Sequence, residues 1–103
     1  MKCFKVSLEV NSVEKRYIVT GEYGLHARPA TRLVNLAVTF SSDIFIKSDE
    51  KIVNLKSVMG VMSLGIYKGQ IITIAAQGDD EADAIKAISS FISIEKIGNL
   101  INE

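Results

Sequence analysis

Residues 4–10 alternate Phe4, Val6, Leu8 and Val10 with Lys5, Ser7 and Glu9. A period of two predicts a strand with one buried face. Asn11-Ser12 offers a turn, and residues 16–20 (Arg-Tyr-Ile-Val-Thr) predict a second strand. The two strands form a hairpin, or the first is a loose extension. Gly21 and Gly24 interrupt the pattern, and the period then changes. Over residues 27–38, Ala30, Leu33, Val34, Ala37 and Val38 recur at helical spacing, and Phe40 is expected to pack beside that helix. Residues 44–47 and 51–55 predict two strands joined through Ser48-Asp49-Glu50, which lacks the favoured Asn-Gly. Residues 57–64 predict a short helix stopped at Gly65. Residues 71–76 predict a strand ended by Gly78-Asp79-Asp80, where an aspartate is placed to cap the next helix. In that helix Ile85, Ile88, Phe91 and Ile92 form the buried face, and it is expected to end near Gly98.

The order is strand, helix, strand, strand, helix, strand, helix, with a possible extra N-terminal strand. Mixed in one short chain, these elements predict an α+β domain: an antiparallel or mixed sheet with helices on one face. The length of 103 residues fits one domain, preceded by an extension over residues 1–12, so that the folded unit is expected over 13–103. A chain of this size buries about two-thirds of its unfolded surface, enough for a core without staples.

Composition narrows the function classes. Twelve Lys and Arg balance twelve Asp and Glu, which disfavours nucleic acid as a direct partner. One cysteine, Cys3, excludes an intrachain disulfide, and one Cys with one His cannot supply a structural zinc site. Neither a metal nor a cofactor is expected. No apolar run of about 18 residues is present, so no membrane insertion is expected. The charged, alternating N-terminus does not read as a secretory signal, and the expected compartment is the cytoplasm.

The lone His and the lone Pro both fall in Gly24-Leu25-His26-Ala27-Arg28-Pro29-Ala30. Proline has no N–H and is tolerated in a helix only in the first turn, so it puts the helix start within a residue or two of His26. A helix start presents unpaired N–H groups and the positive end of the dipole, and so suits an anion. A neutral imidazole nitrogen is a nucleophile. Were a phosphoryl group attached to it, the amides and the Arg28 fork would match its oxygens. The plainer alternative is a histidine that merely caps the helix.

A second helix start lies in Asn54-Leu55-Lys56-Ser57-Val58-Met59-Gly60-Val61-Met62-Ser63-Leu64-Gly65-Ile66. Ser57 is a favoured N-cap, and as a modified residue it would place negative charge where the dipole accepts it. Phosphorylation there changes the local charge by about −1.5 to −2. Met59 and Met62, three apart, share one face and suit an adaptable docking patch if solvent-exposed, or the core if not.

Together GLHARPA and NLKSVMGVMSLGI resemble the HPr family, the histidine-containing phosphocarriers of the bacterial phosphoenolpyruvate:sugar phosphotransferase system. The second motif resembles the Gram-positive branch with a regulatory serine. The resemblance runs from about Val13 to the last helix. It implies an open-faced β-sandwich: a four-stranded antiparallel sheet with three helices on one face. It implies that His26 accepts a phosphoryl group on Nδ1 from phosphorylated Enzyme I and passes it to a sugar-specific Enzyme IIA. Arg28 would stabilise that group. Ser57 would be the target of HPr kinase/phosphorylase, and the phosphoserine form would bind the catabolite-control repressor. Tyr23, Leu25, Ala27, Val58, Met59 and Met62 would form the partner surface. Such a carrier is not itself an enzyme, since the partners catalyse the transfers.

The chain departs from the family at Tyr23, where small polar residues are common, at the Asp49-Glu50 turn, and in its first dozen residues. An alternative reading is a regulatory paralogue acting mainly as a corepressor or binding partner, but that paralogue lacks the active histidine. A nitrogen-related relay fits the Ser57 segment less well. A free-standing enzyme is disfavoured because no second base or nucleophile accompanies His26 in sequence.

Overall fold

The computed structural model describes residues 13–101. The expected strand over 4–10, Cys3 and the extension over 1–12 lie outside the described residues. Five strands and three helices follow in order: β1 (Val13–Val19), α1 (Ala27–Ala37), β2 (Asp43–Ser48), β3 (Lys51–Asn54), α2 (Val58–Met62), β4 (Ile71–Gln77), α3 (Glu81–Ile94) and β5 (Gly98–Leu100). The strands form one antiparallel sheet in the order β3-β2-β4-β1-β5. This is the expected open-faced α+β sandwich, extended from four strands to five.

Alternation builds the sheet's inner face. Tyr17 and Val19 on β1, Ile44 and Ile46 on β2, and Ile72, Ile74 and Ala76 on β4 are all buried. Ala30, Leu33, Val34 and Ala37 of α1 and Ala84, Ile85, Ile88 and Ile92 of α3 cover them. The opposite face carries no helix and leaves Ile18, Ile52 and Ile71 in contact with water. Phe40 is half-buried against the core, whereas Val38, expected to continue the apolar stripe, is the C-cap of α1 and is exposed.

The fifth strand comes from an early end to α3. Lys96 takes a left-handed φ of 58°, its N–H bonds Ser93 O at 3.1 Å, and the Ile97 N–H bonds Ile92 O at 2.9 Å. That pair of bonds is a Schellman closure with Lys in the place glycine usually takes. Ile97 is thereby turned into the core. Gly98, expected near the helix end, instead opens β5, where a Cβ would come within 2.5 Å of Ile18 O.

Polar side chains tie the loops down. Asp80 occupies the N-cap position of α3 but makes no cap hydrogen bond with its side chain, contrary to the expected capping role. Its carboxylate accepts instead from the Ser41 N–H at 3.0 Å, the Ser42 N–H at 2.9 Å and the Ser42 hydroxyl. The Gly78 N–H donates to Glu81 Oε1 at 3.0 Å. In the β2–β3 turn Asp49 adopts φ 57°, a region that aspartate tolerates better than most side chains, which is how the turn forms without glycine. Buried Gln70 donates to the Ser48 hydroxyl and accepts the Tyr67 N–H at 3.1 Å, joining this turn to the loop before β4. The buried Tyr17 hydroxyl meets Ser89 Oγ at 2.5 Å, linking β1 to α3, and burial pushes its pKa up.

The Ser42 hydroxyl bond, followed by the Ser41 amide, lowers the Asp80 pKa from 3.8 to about 2. A depressed folded-state pKa means that the stabilisation is complete above about pH 4 and is lost as pH falls toward 2. Asp80→Asn should lower the urea midpoint at pH 7 and flatten its pH dependence over that acid range. Equilibrium unfolding at a series of pH values measures both effects.

Candidate functional site

The turn before α1 is clamped by backbone. Its Gly24 N–H bonds Gly21 O at 3.0 Å, and the Leu25 N–H bonds Ile66 O at 3.2 Å. Gly24 has φ +66°, and a Cβ there would collide with Ile66 O and lie 2.7 Å from Tyr67 Cα. Both the left-handed conformation and the close approach demand glycine. Leu25, expected on the partner surface, is instead 4% exposed and belongs to the core, because its side chain anchors the turn from beneath.

The next residue, His26, is the N-cap of α1, with extended backbone (φ −87°, ψ −173°) and no side-chain cap bond. The imidazole is therefore exposed and not committed to capping. Its carbonyl accepts the Ala30 N–H at 3.0 Å. Pro29 has no N–H, so the unpaired donors of the first turn are the amides of Ala27 and Arg28. These two amides and the dipole make the local field positive. No acidic residue lies in the first turn to neutralise it.

His26, Ala27, Arg28, Thr31 and Arg32 line one open concavity. The two arginines differ. Arg32 is engaged by Glu95, with nitrogen–oxygen distances of 3.1 and 3.2 Å, which fastens α1 to the end of α3. Among the described residues Arg28 forms no hydrogen bond or salt bridge, so its guanidinium is free for an external anion. Tyr23 also reaches the site. Its ring stands edge-on to His26, with centroids 6.0 Å apart and planes at 86°. Thr31 and Arg32 were not anticipated from the sequence, although Arg32 lies one helical turn after Arg28 and shares its face.

Ser57 is the N-cap of α2, and its Oγ accepts the Gly60 N–H at 3.1 Å. Glycine at position 60 keeps that contact close, since a Cβ there would sit 3.3 Å from the Ser57 oxygen. Ser57 is exposed. Below it Val61 and Leu64 are buried and Val58 is half-buried. Met59 and Met62 face solvent, 83% and 40% exposed. Helix α2 packs beside α1, so the two helix starts belong to neighbouring elements. Among the described residues no three His, Cys, Asp or Glu side chains gather to hold a metal ion. No described helix is long and apolar enough to cross a membrane.

A family model for the HPr component of the phosphotransferase system, described by its phosphorylation site, matches residues 13–93. The chain belongs to the HPr family. The fold is similar to a histidine-containing phosphocarrier protein from Mycoplasma, at 43% identity and TM-score 0.82, covering 84% of this chain and 98% of that one. It is also similar to phosphocarrier protein HPr from Bacillus anthracis, at 46% identity and TM-score 0.73, covering 78% and 95%. A third similarity is to Crh, the catabolite repression HPr of Bacillus subtilis, at 43% identity and TM-score 0.64, covering 75% and 88%. That Crh forms a swapped dimer. HPr proteins are phosphocarriers that work with other proteins of the phosphotransferase system, and this family is generally non-enzymatic.

The Gly24 clamp has a direct consequence for stability. Gly24→Ala should cost at least about 1–3 kcal/mol, because both φ and space oppose it. Gly65→Ala, where φ is +59° but nothing lies within 4 Å of an added Cβ, should cost less. Parallel urea titrations of the two variants measure the difference.

Proposed function

We propose that the protein relays a phosphoryl group through His26 from phosphorylated Enzyme I to a sugar-specific Enzyme IIA. The observation that carries this reading is the exposed N-cap imidazole, free of any capping bond, beside two amides and an arginine that have no partner among the described residues. In the transfer the lone pair of His26 Nδ1 attacks phosphorus. The bond from phosphorus to the donor atom breaks, and its electron pair stays with the donor. The phosphoryl oxygens then lie toward the Ala27 and Arg28 amides, and the Arg28 guanidinium offsets their charge. The second transfer reverses these roles: the acceptor attacks, and the electron pair of the P–N bond returns to His26. A carrier needs a bond that is neither hydrolysed at once nor held too firmly. An open site with one mobile cation meets both needs better than a closed, fully bonded pocket.

Ser57 is the proposed regulatory site, phosphorylated at Oγ from ATP by HPr kinase/phosphorylase, with ADP leaving. Its hydroxyl already lies against the Gly60 amide, so a phosphoryl group adds charge at the positive end of a helix. Ala27, Val58, Met59 and Met62 supply the adjoining contact surface, and the phosphoserine form is read as the ligand of the catabolite-control repressor. Similarity to Crh favours a second reading, a corepressor that carries no phosphohistidine. The presence of His26 with a free Arg28 favours the relay.

Incubation with phosphoenolpyruvate and Enzyme I, followed by intact-mass measurement in alkali, separates the two readings. One acid-labile phosphoryl group is expected on the wild type and none on His26→Ala. An Arg28→Ala variant should be labelled more slowly, by about ten-fold, in line with loss of one charged hydrogen-bonding partner. With ATP and the kinase, acid-stable phosphate should appear on the wild type and be absent from Ser57→Ala. Labelling retained in His26→Ala, or none in the wild type, contradicts the relay.

A further inference from the structure

Tyr23 is 79% exposed, so its ring contributes little to the core, yet the backbone that carries it is tightly determined. The turn around it is closed by the Gly24 N–H to Gly21 O bond, and Gly24 has no room to shift against Ile66 and Tyr67. Leu25 then anchors the chain in the core. The backbone therefore fixes where the Tyr23 side chain leaves the turn, three residues before His26, and its ring stands perpendicular to the imidazole at a centroid distance of 6.0 Å. Edge-to-face contact is the favoured arrangement of two aromatic rings.

The imidazole has little else to order it. It makes no cap bond, and among the described residues no hydrogen bond or salt bridge reaches it. An exposed histidine without such contacts samples several χ1 and χ2 wells. Each well points the attacking nitrogen in a different direction, and transfer needs the one that faces the donor phosphorus with the Ala27 and Arg28 amides behind it. Among the described residues the Tyr23 hydroxyl has no hydrogen-bond partner, so the contact with His26 is one of the rings.

We propose that Tyr23 is a positioning residue for His26: its ring holds the imidazole in the orientation from which phosphoryl transfer proceeds. This rests on the reading of His26 as the phosphoryl acceptor. Tyr23 forms no bond to phosphorus and moves no proton. Its effect is on the fraction of molecules whose imidazole is ready to attack, so it belongs in the turnover step and not in partner affinity.

Two measurements on the whole chain test this, using Tyr23→Ser and Tyr23→Phe. In the unphosphorylated protein, side-chain couplings of His26 should report one dominant χ1 rotamer in the wild type and Tyr23→Phe, and an average over rotamers in Tyr23→Ser. In phosphorylation by phosphoenolpyruvate and Enzyme I at varied carrier concentration, Tyr23→Ser should lower kcat by about 2- to 10-fold, the range expected from losing one edge contact, with KM nearly unchanged. Tyr23→Phe should restore the wild-type kcat. A rise in KM alone would show a docking contact and overturn the proposal. So would wild-type couplings and kcat in Tyr23→Ser. Absence of acid-labile phosphate on the wild type overturns the acceptor reading and this proposal with it, whereas normal labelling with an unaffected Tyr23→Ser overturns this proposal alone.

Discussion

The backbone of Gly24 lies so close to that of Ile66 and Tyr67 that no side chain fits between them. The Leu25 N–H to Ile66 O bond closes the same contact from the next residue. This approach fixes where the chain enters α1, and every feature of the candidate site inherits its position from it. His26 becomes the N-cap, the Ala27 and Arg28 amides lie at the helix start, and Tyr23 stands edge-on beside the imidazole. A site that binds a small anion needs its donors in place beforehand, since ordering them on binding would consume the interaction energy. Here the order is supplied by packed backbone and by the Leu25 anchor, and the side chains that would meet an anion in the proposed relay stay exposed.

The rest of the molecule supports that arrangement through a few long-range contacts. Arg32 and Glu95 fasten α1 to the end of α3, and among the described residues Arg28 has no ion-pair partner. Asp80 gathers the Ser41 and Ser42 amides at the entry to β2, and Gln70 joins the β2–β3 turn to the loop that carries Tyr67. The segment 66–67 against which Gly24 rests is thus itself restrained. The second helix start at Ser57 is built differently. Its side chain already caps the helix, so a modification there would act on an occupied hydroxyl at an exposed surface, next to methionines that face solvent.

Much of this was legible in the chain because the strongest local rules agree with the fold. Proline without an N–H placed the start of α1, and hence His26 and Arg28, to within a residue or two. Strand-forming runs located β1, β2, β3 and β4, and helical spacing identified the buried stripes of α1 and α3. What escaped depended on partners distant in sequence. Leu25 sits in a polar-looking motif, yet it is core, because the turn folds over the 66–67 segment. Asp80 looks like a helix cap, yet its carboxylate is taken by serines 38 and 39 residues earlier. Lys96 in a left-handed conformation ended α3 without the glycine that sequence reading relies on, and Gly98 marked a close strand contact and not a helix stop. The pairing of Arg32 with Glu95 and of Tyr23 with His26 likewise required the third dimension.

In the proposed relay the α1 start is an anion receptor assembled around His26. The most direct measurement is the amide proton–nitrogen spectrum of the protein before and after phosphoryl transfer from phosphoenolpyruvate and Enzyme I. The Ala27 and Arg28 amides should show the largest downfield proton shifts, as they take up hydrogen bonds to phosphoryl oxygens, while the amides of β2 and β4 hardly move. Largest shifts elsewhere, or Ala27 and Arg28 amides that stay where they were, would contradict that reading.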